Sequence, residues 1–336
     1  MKEKILDYLQ KVINIPSPTG FTHFLKDFLV QNAVDKGIDY SLTRKGAVSY
    51  YFKGKNNLTK TMLAVHMDTL GAMVKEVKTE GLKLTPIGGY PLIYIIGNYC
   101  TIHGENNQKY RGTILPDNPA AHANNKLNEI KLSFDNITVR TDITPEKNKS
   151  LEDFISVGNF VSFDPQLEMI NGFIKTRHLD DKASGAILLY LADLLVENKI
   201  ESKEDLVFFF NFSEETGQGL AGFSEVDNLI IVDMGVVGLG CAGDEFSVSI
   251  CSKDSSGPYN YELTQKLLRL SREQKIDFKM DVFPFYSSDG SKVLAACHDI
   301  RVALIGPGVS ASHGYERTHI KALENTCQLL QSYING

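Results

Sequence analysis

The chain has no apolar stretch that approaches the length of a membrane span, so no membrane partner is expected. It has no excess of positive charge. The formal net charge is -6 at pH 7, which argues against nucleic acid as the main partner. Cys100, Cys241, Cys251, Cys297 and Cys327 contain no Cys-x-x-Cys pair. An odd set of cysteines without such spacing reads as buried free thiols in a reducing cytoplasm. Met1-Lys2-Glu3-Lys4-Ile5 brings in acid early and lacks an apolar core and cleavage site, so no secretory signal is expected. There is no tandem repeat and no low-complexity tract. Gly-x-Ser-x-Gly does not occur, and Ser287-Ser288-Asp289-Gly290 has no histidine in an evident partner position. A Walker-type phosphate loop is also missing. Gly238-x-Gly240-x-x-Gly243 matches a dinucleotide fingerprint only formally, because no helix opens there.

What remains is an ordinary globular composition of 336 residues, 43% hydrophobic and 23% charged. That length exceeds one average domain, so one large or two smaller domains are expected. Ile5, Leu9, Val12 and Ile13 follow helical spacing. This helix must stop before Pro16-Ser17-Pro18-Thr19-Gly20, a rigid turn-forming segment. Helical spacing resumes from Phe21 to Leu29, and strands are predicted near 47–52 and 61–67. From about Thr69 to Gly172 no long helix is legible. Short β-like runs alternate with clusters such as Gly88-Gly89, Gly97-Asn98 and Pro116-Asp117-Asn118-Pro119. We read residues 69–172 as a small, mostly β domain inserted into an α/β domain made of 1–68 and 173–336. After Phe173 the α/β rhythm returns. It predicts a helix from Lys182 to about Val196, a strand at 206–212, a short helix near 218–224 and a strand at 229–233. A strand near 246–251, a helix near 258–274, a strand near 276–282 and a helix near 289–297 follow. A strand near 301–305 and a C-terminal helix from about 317 complete the chain.

Five metal-binding side chains lie at or near the C-terminal ends of predicted strands. They are His66, Asp180, a member of the pair Glu214-Glu215, Asp233 and His313. In an open α/β sheet those ends converge on the ligand crevice. Two histidines with several carboxylates suit zinc or a similar divalent ion. The leftover glutamate suits a general base, and the set reads as a two-metal hydrolase. In His66-Met67-Asp68 the outer residues share one face of an extended segment, so Asp68 is the candidate orienter of the His66 ring. Each residue also has a plainer reading. Asp180-Asp181 would cap the following helix, and one carboxylate of that pair could bridge two metals while its neighbour caps or supports. Glu214-Glu215 would enrich a helix N-terminus in acid. Asp233 would form a turn, and His313 would be a surface histidine. His178 is a hydrogen-bonded neighbour, and His319 is at most a supporting residue. Only the ordered set favours metal.

With these residues in hand, the chain resembles the family-42 metallopeptidases, the glutamyl, deblocking and tetrahedral aminopeptidases, some of which carry an endoglucanase label. The resemblance covers nearly the whole chain. It rests on Ile15-Pro16-Ser17-Pro18-Thr19-Gly20, on Ala64-Val65-His66-Met67-Asp68-Thr69 and on Pro86-Ile87-Gly88-Gly89. Leu179-Asp180-Asp181-Lys182-Ala183 and Ser213-Glu214-Glu215-Thr216-Gly217 complete it. It implies an α/β/α catalytic domain with an inserted small β-barrel-like domain that makes oligomer contacts. It also implies two co-catalytic divalent ions per subunit, usually zinc or cobalt. Asp180 would bridge them, His66 would pair with Asp233, Glu215 would pair with His313, and Glu214 would be the general base. The bridging aspartate would precede a cis peptide bond. The family commonly forms a tetrahedral dodecamer of dimers, so a homo-oligomer is expected. Three positions depart from its pattern: His313-Gly314-Tyr315-Glu316 stands for His-Ser-Pro, Lys182 for arginine, and Ser287-Ser288-Asp289-Gly290 for Gly-Thr-Asp-Ala.

The expected activity is a metallo-aminopeptidase that removes N-terminal residues from short peptides. The alternative is an amidohydrolase or deacylase with the same metals and a blocked or non-peptide amide. A non-catalytic binding protein is disfavoured by the full ligand set. A glycosidase would need paired carboxylates across a sugar groove and no metal.

Overall fold

Apolar runs such as Thr61-Met62-Leu63-Ala64-Val65 are continuous because their strand is covered on both faces. In this computed structural model, which describes residues 1–56 and 58–336, Lys60–His66 lies in the middle of a large mixed sheet. It pairs in parallel with Asp205–Asn211 on one side and Asn228–Val232 on the other. Asn228–Val232 pairs in parallel with Arg301–Ser310. Side chains alternate between two cores. Leu63, Val65, Phe208, Phe210, Ile230 and Val232 pack on one face, beneath the helices Lys2–Ile13, Leu179–Val196 and Ile320–Asn335. Met62, Ala64, Val207, Phe209, Leu229 and Ile231 pack on the other, with Val293 of the short helix Asp289–Ala295. Antiparallel strands extend the sheet at Val48–Phe52 and Asp39–Leu42. Val248–Lys253 joins Arg301–Ser310 antiparallel and carries Phe278–Val282 at its outer edge.

Six strands form a closed barrel beside this sheet, in the order Gly71–Lys78, Gly81–Ile87, Ile137–Thr141, Lys109–Pro116, Tyr99–His103 and Phe160–Phe163. The last strand returns to pair with the first. Its inside is a separate apolar core of residues such as Ala72, Val74, Leu84, Ile102, Ile114 and Val161. At Gly81 a Cβ would lie 2.3 Å from the Val139 carbonyl oxygen, so only glycine admits that close strand approach. The architecture is thus the expected α/β fold with an inserted barrel.

Two local expectations are corrected. Residues 218–224 are not helical, because Gly217, Gly219 and Gly222 all adopt positive φ. The C-terminal helix begins at Ile320 and not near 317, because Glu316–His319 forms a strand against Phe173–Thr176. No helix among the described residues is long and apolar enough to cross a membrane.

Candidate metal centre

The parallel strands end together at His66, Asn211 and Val232, and the next residue after the last is Asp233. Asp233 is held against Arg301–Ser310 by a bond from its amide to the Ile305 carbonyl, 2.9 Å. Gly306 makes this approach feasible, since a Cβ there would lie 1.3 Å from the Asp233 carbonyl oxygen. Asp180 enters from the start of the helix over the first face. The Asp180–Asp181 peptide is cis, as the resemblance implies.

The Asp180 carboxylate lies between two imidazoles. Its Oδ1 is 2.9 Å from His66 Nε2, and its Oδ2 is 3.5 Å from His313 Nε2. His313 Nε2 is also 3.8 Å from Glu215 Oε2. His313 Nδ1 donates to the Gly89 carbonyl, which leaves Nε2 to face the acids. Gly89 follows the barrel strand Gly81–Ile87, so the insertion helps to orient this ring. His66 Nδ1 lies 3.2 Å from the Asp68 carbonyl oxygen and 3.5 Å from Asp68 Oδ1.

Asp68 is fully buried. It accepts from Thr19 Oγ1 at 2.6 Å and from the Glu214 and Glu215 amides at 3.2 Å each. The Pro16-Ser17-Pro18-Thr19-Gly20 segment therefore supports the glutamate turn as well as the His66 strand. Glu214 and Glu215 then line a cavity of about 510 Å³ with Asp180, Asp233 and His313.

Sequence reasoning missed two residues. His66, Asp181 and Asp233 each offer a ligand atom within 4.8 Å of the others, so Asp181 joins the candidate ligands. It accepts the His66 amide at Oδ2, 3.2 Å, while its buried Oδ1 has no hydrogen-bond partner among the described residues. Glu316 accepts the Asp180 amide on one oxygen and the His313 amide on the other, both at 3.1 Å. It clamps the backbones of both residues. Its bond to His313 is local, three residues away, but its bond to Asp180 spans 136 positions, which spacing does not signal. His178 is buried beside Asp180 and is not in the ligand group. His319 caps the C-terminal helix through Nδ1, which accepts from the Lys321 amide at 3.2 Å.

The electrostatics describe an acid cluster in want of positive charge. Burial raises Glu215 to about 8, and the Asp180 charge adds to this. Burial and then Asp180 raise Asp233 to about 6. Asp181 is raised well above its ordinary value by burial and then by Asp233. Burial likewise pushes Glu214 well up, with Asp233, Asp289 and Glu215 adding repulsion against the relief from His66. Burial alone would lower His313, yet Asp180 and Glu215 carry it up to about 10. Among the described residues no lysine or arginine forms an ion pair with these acids; His66 pairs with Asp180, and His313 pairs with Asp180 and Glu215. A divalent cation fits such a donor set, because it would neutralise the carboxylates and engage the orphaned Asp181 oxygen.

The comparisons now decide the family. The family model described as M42 glutamyl aminopeptidase matches residues 46–329. The chain belongs to the M42 peptidase family. It is 40% identical over 340 residues to YhfE of Bacillus subtilis (strain 168), provisionally named an aminopeptidase. That match covers 99% of this chain and 98% of YhfE. Two solved structures share the fold. A TET aminopeptidase from the marine sediment archaeon Thaumarchaeota archaeon SCGC AB-539-E09 superposes with a TM-score of 0.88 at 16% identity, covering 99% of this chain and 97% of its own. The Pyrococcus horikoshii TET1 peptidase gives 0.86 at 20% identity, covering 98% and 99%. As an M42 member the chain is a hydrolase acting on peptide bonds, an aminopeptidase with a group that can hold metal.

Proposed function

We propose that this M42 chain is a co-catalytic two-metal aminopeptidase that removes N-terminal residues from short peptides. The position of the Asp180 carboxylate between His66 and His313 carries the reading. One divalent cation, zinc or cobalt, would be held by His66 and Asp233, the other by Glu215 and His313, with Asp180 shared. Asp181 is a further donor on the His66 side. When bound, the two cations would supply positive charge that polarises the scissile carbonyl and acidifies water.

The chain's own residues do the remaining work. Glu214 lines the cavity, and among the described residues its carboxylate accepts no hydrogen bond. It is free to take a proton from the attacking water and pass it to the leaving amine nitrogen. Asp68 positions Glu214 and Glu215 through their amides. Glu316 and Gly89 hold the His313 loop. The acid-rich cavity attracts the free α-amine of a peptide.

The substrate panel that tests this compares leucyl-p-nitroanilide, short peptides and their N-acetyl counterparts. Free amino termini should be turned over and blocked ones should not. Faster turnover of the blocked substrates would replace the aminopeptidase with a deacylase.

A homo-oligomer is part of the proposal, with residues 69–172 carrying contacts between copies. Membership of M42 and likeness to the Pyrococcus horikoshii TET1 peptidase, which can assemble into a tetrahedron or a large octahedral shell, support it. A monomeric mass by light scattering would remove it. Cys100, Cys251 and Cys327 are buried free thiols, which fits a reducing cytoplasm.

A further inference from the structure

Tyr286 lies in the connection between the edge strand Phe278–Val282 and the helix Asp289–Ala295. The chain on either side of it is pinned. Its own carbonyl accepts from the Ser255 amide at 3.0 Å and from the Ser255 hydroxyl. Two residues on, Ser288 Oγ accepts the Gly290 amide at 3.1 Å and lies 2.9 Å from Tyr259 OH. The Tyr286 ring packs at 63° to Phe283 with centroids 5.2 Å apart, and it rests against both apolar cores of the sheet. A ring held in this way has little freedom to swing.

Its polar tip is left over. Tyr286 lines the cavity of Asp180, Glu214, Glu215 and Asp233. Its hydroxyl oxygen is buried and, among the described residues, has no hydrogen-bond partner. Asp233 lies near enough to feel this dipole, but Asp233 Oδ1 is already engaged by the Met234 amide at 2.6 Å. Other buried tyrosines spend their hydroxyls on acids: Tyr8 on Asp193 at 2.9 Å and Tyr259 on Asp254 at 2.7 Å. A buried donor without a partner carries the full desolvation penalty of the group. In a reaction cavity that cost is offset when the donor meets charge that develops there.

We infer that Tyr286 is a further catalytic residue, whose hydroxyl donates a hydrogen bond to the scissile carbonyl oxygen as it becomes an oxyanion. This rests on the aminopeptidase reading and deepens it. The water oxygen bonds to the carbonyl carbon, the C=O π pair moves onto the carbonyl oxygen, and Glu214 takes the water proton. Tyr286 donates to that oxygen and keeps its own proton throughout. When the C–N bond breaks, the pair returns to the carbonyl and the Glu214 proton passes to the leaving amine. The cavity carboxylates, once ionised, can only accept hydrogen bonds, so a neutral phenol supplies what they cannot.

Tyr286→Phe removes one oxygen and keeps the ring in its packing. In the holoenzyme it should lower kcat on leucyl-p-nitroanilide by about 10²-fold, the usual effect of losing one oxyanion donor. KM, metal content and melting temperature should stay as in the wild type. The phosphonic acid analogue of leucine, a tetrahedral anion, should bind the variant more weakly, while the product leucine should bind both proteins alike. Near-normal kcat would overturn the inference. So would turnover restored by added metal, which would make Tyr286 a support for Asp233, or an equal loss of affinity for leucine and the phosphonate. Failure of the aminopeptidase reading would show separately, as a wild-type enzyme that does not turn over free amino termini.

Discussion

Inside the barrel, Ile102, Ile114, Val139 and Val161 meet with no exposed surface. At the end of the sheet, Asp180, Asp181, Asp233, Asp289 and Glu316 are buried almost as completely. The barrel charge that comes nearest to its core, Lys83, is fully matched. It donates to both Asp117 oxygens and to the Asp135 and Ile137 carbonyls at 2.9–3.0 Å. The sheet-end acids are not matched in this way. Burial holds Asp289 up to about 7 and Glu316 up to about 8. Apolar burial in the barrel stabilises the fold at about 25 cal/mol per Å². The acid cluster opposes folding, and the surrounding structure holds it in place. One region is built to be stable and the other to be charged.

Mutations should separate the two regions, beginning with the largest effect on turnover. Asp180→Ala should take activity to the detection limit and lower bound metal, because the shared ligand is gone. Metal analysis and far-UV circular dichroism check that the chain stays folded. Retained metal with normal turnover would remove Asp180 from the centre. Glu316→Ala should weaken metal affinity by about 10–100-fold, the usual effect of losing a ligand's support. Competition with a chromogenic chelator reads this, and unchanged affinity would reduce Glu316 to a packing residue. Ile102→Ala should cost about 2–5 kcal/mol of stability by leaving a cavity, with metal content unchanged. Denaturant melts read the first and elemental analysis the second. Loss of metal in this variant would mean that the two regions are not as separate as their cores.

The fold was legible where one face or both faces of an element are apolar. Thr61–Val65 and Val207–Phe212 read as strands because both sheet faces are covered. The barrel region read as β because turn residues punctuate short runs. Asp39–Leu42 was not legible, since all four residues are exposed and carry no burial pattern. The expected helix at 218–224 failed because Gly219 and Gly222 adopt positive φ, which breaks helical continuity. His66, Asp180, Glu215, Asp233 and His313 were legible as ligand types at strand ends, and the structure brings them to one cleft end. Asp181 read only as a cap or support, because its neighbour satisfied the expected pattern. Glu316 and Gly89 act through backbone bonds to distant residues, which no local spacing encodes.

The central claim is a pair of metal ions served by a separate base. Metal content per chain, measured alongside turnover for the wild-type enzyme and Glu214→Gln, tests it most directly. Both proteins should hold two divalent ions per chain, and only Glu214→Gln should lose turnover, by about 10²–10⁴-fold. A fully active wild-type chain with one ion or none, or a Glu214→Gln enzyme with near-normal turnover, would contradict it.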